Sequence, residues 1–132
     1  MSEGKVTAAL KQAVIDRARG CCEYCLSQSQ VSVQPFSIEH TIPWSKGGKT
    51  SLENLALACQ GCNGHKYNKT EGRDPLTGRI VPLYNPRQYL WKHHFTWSND
   101  YTEMFGLTAI GRATISMLRL NRQGVVECHL LT

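Results

Sequence analysis

Two C-x-x-C pairs limit the folds open to this chain more than any other feature of its sequence. One pair is Cys22 and Cys25, and the other is Cys59 and Cys62. Two residues between cysteines let both thiolates of a pair face one ion from a single tight turn, and two such turns complete a tetrahedron. A closed shell of four thiolates is typical of structural Zn²⁺. The sequence therefore predicts a zinc site that supports the fold and leaves no position open for catalysis.

Two other interpretations of these cysteines stay open, namely thiol redox motifs or buried apolar cysteines. A redox C-x-x-C usually accompanies a parallel-sheet pattern, which this sequence lacks. The first twenty residues contain no apolar run typical of a secretion signal, so we expect a reducing cytoplasm, where cysteines favour metal over disulfides. Cys21 could compete as a ligand, although its spacing to Cys25 is less suitable, and Cys128 is expected to be a small core residue.

Length and net charge indicate how many domains the chain forms and what kind of partner it binds. The 132 residues fit one domain whose modest core a bound metal would help to stabilise. The formal net charge of +5 favours an anionic partner such as nucleic acid, although charge by itself is weak support. No segment is long and apolar enough to cross a membrane, and no dimer seam is evident, which leaves the oligomeric state open.

Hydrophobic periodicity predicts an α+β fold. The first half is expected to run helix, strand, strand, helix, over residues 6–18, 36–40, 54–59 and about 63–69. The second half is expected to add a helix-hairpin-helix-like extension, over residues 86–91, 94–97 with 101–107, and 110–120. For residues 125–131, strand and helix both remain open. We expect a single domain over residues 1–132, with a core of about 20–70 and an extension of about 71–132.

Candidate catalytic residues lie between and just after the cysteine pairs. Phosphodiester hydrolysis needs a base that takes a proton from water, and an imidazole does this near neutral pH, which makes His40 the candidate. It also needs a cation that neutralises charge on the phosphate and the leaving oxygen. Glu39 and Asn63 offer the hard oxygen ligands that Mg²⁺ prefers. Neighbours in a strand point to opposite faces, so strand-end twist or the loop must bring Glu39 and His40 to one phosphate.

The order of these residues resembles the HNH endonuclease family. The matching pattern covers residues 22–69 and runs Glu39-His40, Pro43, Gly47-Gly48, Asn54-Leu55, then Cys59-x-x-Cys62-Asn63-x-x-Lys66. The resemblance implies a ββα-metal unit, in which a hairpin carries the general base and a helix carries a metal ligand. It also implies that Asn54 holds the loop and the base in place. Taken alone, Asn54 could equally be an ordinary turn residue.

The sequence departs from the family pattern at one position. The residue after the second cysteine pair is often histidine in the family, whereas here it is Asn63. By ligand softness, an amide oxygen favours Mg²⁺ or Mn²⁺ and weakens binding of Zn²⁺ or Ni²⁺. His65 lies two residues later and is a second candidate ligand.

Clustered basic residues complete the functional hypothesis. Lysines near the proposed centre are candidate phosphate contacts, as are arginines of the last predicted helix; they are Lys46, Lys49, Lys66 and Lys69, and Arg112, Arg119 and Arg122. The leading hypothesis is a metal-dependent endonuclease that hydrolyses DNA. One alternative is a zinc-stapled nucleic-acid-binding module without catalysis. Another is a zinc-dependent protein-interaction domain that buries Trp91 and Trp97 at an interface.

Overall fold

The computed structural model describes residues 4–122, which contain four α-helices and six short strands. The elements are α1 (Ala8–Ala18), β1 (Ser37–His40), β2 (Leu55–Ala58), α2 (Gln60–Lys66), β3 (Glu71–Arg73), β4 (Ile80–Pro82), α3 (Trp91–His94), β5 (Phe95–Trp97), β6 (Met104–Gly106) and α4 (Ala109–Leu118). This mixed content agrees with the α+β prediction. Among the described helices, none has the length and apolar character needed to span a bilayer.

The strands pair as three antiparallel hairpins, β1 with β2, β3 with β4, and β5 with β6. In the first hairpin Ser37 faces Ala58 and His40 faces Leu55. A two-stranded hairpin is at best marginally stable alone in water, so each must pack against other elements. Buried side chains from both halves of the described chain form one cluster that does this, including Leu55, Phe95 and Leu118.

Helix α1 holds the first hairpin through its C-terminal turn. The helix begins after Thr7, whose hydroxyl accepts a hydrogen bond from the Leu10 amide at 3.1 Å, and ends where Arg19 adopts a left-handed conformation. The Arg17 guanidinium donates to the carbonyl oxygens of Leu52 at 2.8 Å and Leu55 at 2.6 Å. These bonds tie α1 to the start of β2, and the helix predicted over residues 6–18 is confirmed with a later start.

Helix α2 begins three residues earlier than the sequence analysis predicted. The Cys59 sulfur accepts a hydrogen bond from the Cys62 amide at 3.4 Å, so the cysteine turn is itself the N-terminal turn of the helix. Asn63 therefore lies within α2 and not at its start. The helix ends at Lys66, and the amide of the next residue, Tyr67, donates to the Asn63 carbonyl oxygen at 2.9 Å.

The second half differs from the prediction in two places. The helix predicted over 86–91 is wrong, because residues 86–89 form a turn in which the amides of Gln88 and Tyr89 both bond the Asn85 carbonyl at 3.0 Å. The Asn85 side chain also accepts from the Arg87 amide at 2.9 Å, which closes the turn, and α3 begins only at Trp91. The β3–β4 hairpin was not predicted. Residues 125–131 and Cys128 lie outside the described residues.

Candidate functional site

Four cysteine sulfurs converge between the turn before β1 and the N-terminus of α2. The Sγ atoms of Cys22, Cys25, Cys59 and Cys62 all lie within 4.8 Å of one another. All four are free thiols, and the sulfurs of Cys25 and Cys59 are 3.7 Å apart. Cys21 is not part of this group, since its thiol contacts the Arg19 carbonyl oxygen at 3.7 Å. Four convergent sulfurs are a ligand set able to hold one metal ion.

Proximity and burial shift the pKa values of these thiols in opposite directions. Burial raises the pKa of the Cys22 thiol well above its usual value. Hydrogen bonds from the neighbouring thiols, chiefly that of Cys22, lower the pKa of Cys59. Like charges in a buried space raise one another's pKa, so ionisation of all four thiols requires a compensating cation.

Arg122 provides one positive charge from beyond the end of α4. Its Nη2 donates to the sulfurs of Cys59 at 3.3 Å and Cys62 at 3.4 Å, while Nη1 donates to the carbonyl oxygens of Leu118 and Arg119. A Cβ at Gly61 would clash with this guanidinium, so the small residue leaves room for it. Arg122 was expected from the sequence to contact phosphates, and it is instead directed at the cysteine cluster. The contact spans 60 residues of chain, and nothing in the local sequence indicates it.

An open cleft of about 370 Å³ lies beside β1 and α2. It brings together three of the four candidate catalytic residues, since Glu39, His40 and Asn63 all line it. The two neighbours on β1 differ in burial, since Glu39 is buried and His40 is half-buried, as alternation along a strand predicts, yet both residues line the cleft. The His40 Nε2 atom lies 2.8 Å from the Thr50 hydroxyl, which fixes one edge of the imidazole. His65 does not line this cleft; burial and the charges of Arg122 and Arg119 lower its pKa.

Asn54 lies under the loop that joins the two strands and does not line the cleft. Its Oδ1 accepts from the Thr41 hydroxyl at 2.7 Å and the Ile42 amide at 2.9 Å. Its Nδ2 donates to the carbonyl oxygens of Ile42 and Lys49, both at 2.9 Å. A carboxamide has two donor hydrogens and an oxygen with two lone pairs, so every hydrogen-bonding position of Asn54 is occupied. The side chain thus joins both ends of the 41–49 loop.

Two consecutive glycines allow this loop to close. Gly47 has a φ of 89°, in the left-handed region where side chains are disfavoured. A Cβ at Gly48 would overlap the carbonyl oxygen of Ile42 and approach the Asn54 amide nitrogen to 2.7 Å. Glycine at position 47 is therefore favoured by the backbone conformation, and glycine at position 48 is required by the close approach of the loop backbone.

The Glu39 carboxylate is buried and has two donors. One oxygen accepts from the Tyr24 hydroxyl, and the other lies 3.3 Å from the Lys66 ammonium. Burial raises the pKa of Glu39, and the Lys66 charge opposes that rise. Each carboxylate oxygen carries two lone pairs, so a single donor on each oxygen leaves capacity for a further ligand.

The basic residues separate into exposed and buried groups. Lys46, Lys49 and Lys69 are exposed. Lys66, expected as a phosphate contact, is instead only 2 % exposed, and its ammonium also donates to the Thr41 carbonyl oxygen at 3.1 Å. Arg112 also forms an ion pair within the protein, because it donates to both carboxylate oxygens of buried Asp74 at 2.9 Å. The exposed lysines remain as candidate phosphate contacts.

Comparison with known proteins assigns the segment that contains these features. Residues 22–69 match the family model described as HNH endonuclease, which confirms the resemblance stated from the sequence. The match spans 48 of the 132 residues, from the first cysteine pair to the turn after α2, and leaves the second half of the chain outside it. No curated protein and no solved structure gives a significant match to the chain.

Proposed function

We propose that the HNH segment is the catalytic unit of a metal-dependent endonuclease that hydrolyses DNA phosphodiester bonds. The observation that carries this proposal is the shared cleft of Glu39, His40 and Asn63, next to a four-cysteine cluster. A module that only bound nucleic acid would require none of these three residues at one surface.

In this proposal His40 is the general base that takes a proton from the attacking water. The Thr50 hydroxyl holds its Nε2 edge, and the 41–49 loop beyond it is held by Asn54. Asn54 is therefore a positioning residue, which acts through the loop and not on the substrate. This is the role that the resemblance implied for it.

Glu39 and Asn63 are the residues we propose to hold the catalytic cation. Both residues line the cleft, and a carboxylate with an amide oxygen is a donor set that fits Mg²⁺ or Mn²⁺ with retained waters. Such a cation, when bound, neutralises charge on the phosphate and the leaving oxygen. Lys66 neutralises the buried Glu39 from the protein side and keeps its carboxylate oriented.

The four cysteines fit structural Zn²⁺. Their sulfurs form a closed set with no open position, and Arg122 offsets part of the negative charge of four thiolates. The proposed contacts with DNA phosphates are Lys46, Lys49 and Lys69. They are exposed, and each lies within ten residues after His40 or Asn63 in the sequence.

Nicking of supercoiled plasmid tests this function. We expect cleavage with Mg²⁺ or Mn²⁺, none with EDTA, and none by His40→Ala with either metal. His93→Ala is a matched control, because His93 is an exposed histidine outside the cleft. Plasmid that is bound but never cut by the wild type would favour the binding-module alternative, and equal cutting by both histidine variants would remove His40 from the mechanism.

A further inference from the structure

We infer that Tyr67 and Trp44 stack an unpaired nucleobase of the DNA strand held in the cleft. The inference rests on the proposed nuclease function and adds a substrate class to it, namely single-stranded or locally unpaired DNA. Both aromatic residues line the same cleft as His40 and Asn63.

The backbone of Tyr67 is unfavourable for a tyrosine. Its φ of 50° and ψ of −116° place it in a region that glycine favours. The Lys69 amide bonds the Lys66 carbonyl oxygen at 2.9 Å, so Tyr67 takes the first central position of a tight turn of type II′. Glycine is the residue preferred there, which means that a tyrosine costs conformational energy.

Packing does not offset that cost. Tyr67 is 72 % exposed, so its ring contributes little to the core. Among the described residues its hydroxyl makes no hydrogen bond to a side chain, and the ring has no aromatic partner. Neither backbone preference nor burial explains a tyrosine at this turn. Strain of this kind at a cleft is a reason to look for a ligand contact.

Trp44 offers a second ring that lines the cleft. It lies in the 41–49 loop, which Asn54 holds at both ends, and it is 45 % exposed. The two rings thus border the cleft from the loop and from the end of α2. Each is followed two residues later by an exposed lysine, Lys46 or Lys69.

Exposed rings next to lysines suit a single strand of nucleic acid. Aromatic side chains stack on the faces of bases while basic side chains follow the phosphates. In a duplex those faces are covered by neighbouring base pairs, so stacking on protein requires a base that is unpaired or extruded. A strand whose phosphate lies at His40 would place its adjacent bases within the same cleft.

Binding of two 12-residue oligonucleotides tests the inference. One is oligo-dT and the other has the same sugar-phosphate backbone without bases. Both are measured by fluorescence anisotropy on the zinc-loaded protein without added Mg²⁺ or Mn²⁺, so that no cleavage occurs. Stacking of a base contributes about a tenfold or greater gain in affinity. We expect wild type and Tyr67→Phe to prefer oligo-dT by about that factor. Tyr67→Gly should lose most of this preference and melt at the same or a higher temperature.

Tyr101→Gly is the matched control. Tyr101 is also an exposed tyrosine at positive φ, 54 % exposed with φ of 59°, and it lies outside the cleft. It should keep the full preference for bases. The inference is overturned if wild type binds both oligonucleotides equally, or if Tyr67→Gly keeps the preference.

A cleavage assay on the same proteins separates this inference from the proposed function. No base preference, with cutting that still requires His40, overturns the inference and leaves the nuclease intact. A base preference that depends on Tyr67, with no cutting under any metal, supports the stacking contact and overturns the nuclease.

Discussion

Replacing Asn54 by alanine should weaken the fold and the cleft together. The amide makes four hydrogen bonds of 2.7–2.9 Å, and its partners are the Thr41 hydroxyl, the amide and carbonyl of Ile42, and the carbonyl of Lys49. The variant removes all four bonds and leaves a space under a loop whose residues lie outside the hydrophobic core cluster. His40 bonds Thr50, just beyond that loop, so the perturbation reaches the proposed base.

The expected loss of stability follows from the number of hydrogen bonds removed and from the access of water to the groups left behind. A net hydrogen bond contributes about 1 kcal/mol, so four set an upper value of about 4 kcal/mol. Ile42 is 37 % exposed and Lys49 is exposed, so water can reach some of the abandoned groups. We therefore expect the free energy of unfolding to fall by about 2–4 kcal/mol.

Urea denaturation of the zinc-loaded protein measures this loss. Asn99→Ala is the control, because Asn99 is an exposed turn asparagine, and its change should stay within about 0.5 kcal/mol. Metal-dependent cleavage by Asn54→Ala should fall as well, under conditions where the variant remains folded. A loss below about 0.5 kcal/mol with full cleavage would refute the view that Asn54 holds the loop.

Other substitutions give separate tests. Gly48→Ala should lower the melting temperature and the cleavage rate, because its Cβ would overlap the loop backbone. Gly64→Ala should instead stabilise helix α2 by about 0.5–1 kcal/mol, because its Cβ would meet nothing within 4 Å. Equal melting temperatures of the two variants would contradict this. Arg122→Leu should speed zinc loss to a chelator about tenfold, since it removes hydrogen bonds to charged sulfurs; unchanged release would contradict the contact. Lys46→Gln should reduce the salt dependence of DNA affinity by about one unit of slope, and an unchanged slope would exclude a phosphate contact.

Local sequence was sufficient for the features that depend on short spacing. Two cysteines separated by two residues occupy one turn wherever they occur, so the first and second pairs could be recognised without a structure. The helix later found at Ala109–Leu118 was likewise predicted from its apolar period, over 110–120. The two strands on either side of the glycine loop were also predicted, and the family resemblance implied that they form a hairpin; β1 and β2 do pair, with His40 facing Leu55.

Contacts between distant segments were not accessible from the sequence. Lys66 and Arg122 were taken as surface charges because most lysines and arginines are exposed, yet tertiary packing places them against Glu39 and the cysteine sulfurs. The β3–β4 hairpin escaped prediction because three residues per strand are too few to show an alternating pattern. The strain at Tyr67 was likewise not predictable, because a tyrosine in the sequence gives no sign that its φ will be positive.

The central claim is that His40 activates water in a nuclease, and single-turnover cleavage by His40→Gly tests it most directly. The variant should retain its zinc and remain folded, with a small fall in melting temperature because a glycine in β1 is unfavourable. His40 itself is only partly buried at the edge of an open cleft. Rates would be measured with Mg²⁺ on a labelled DNA strand, with and without added imidazole. We expect a loss of about 100-fold or more, partly restored by imidazole entering the space left by the side chain. Cleavage by His40→Gly at the wild-type rate would contradict the account.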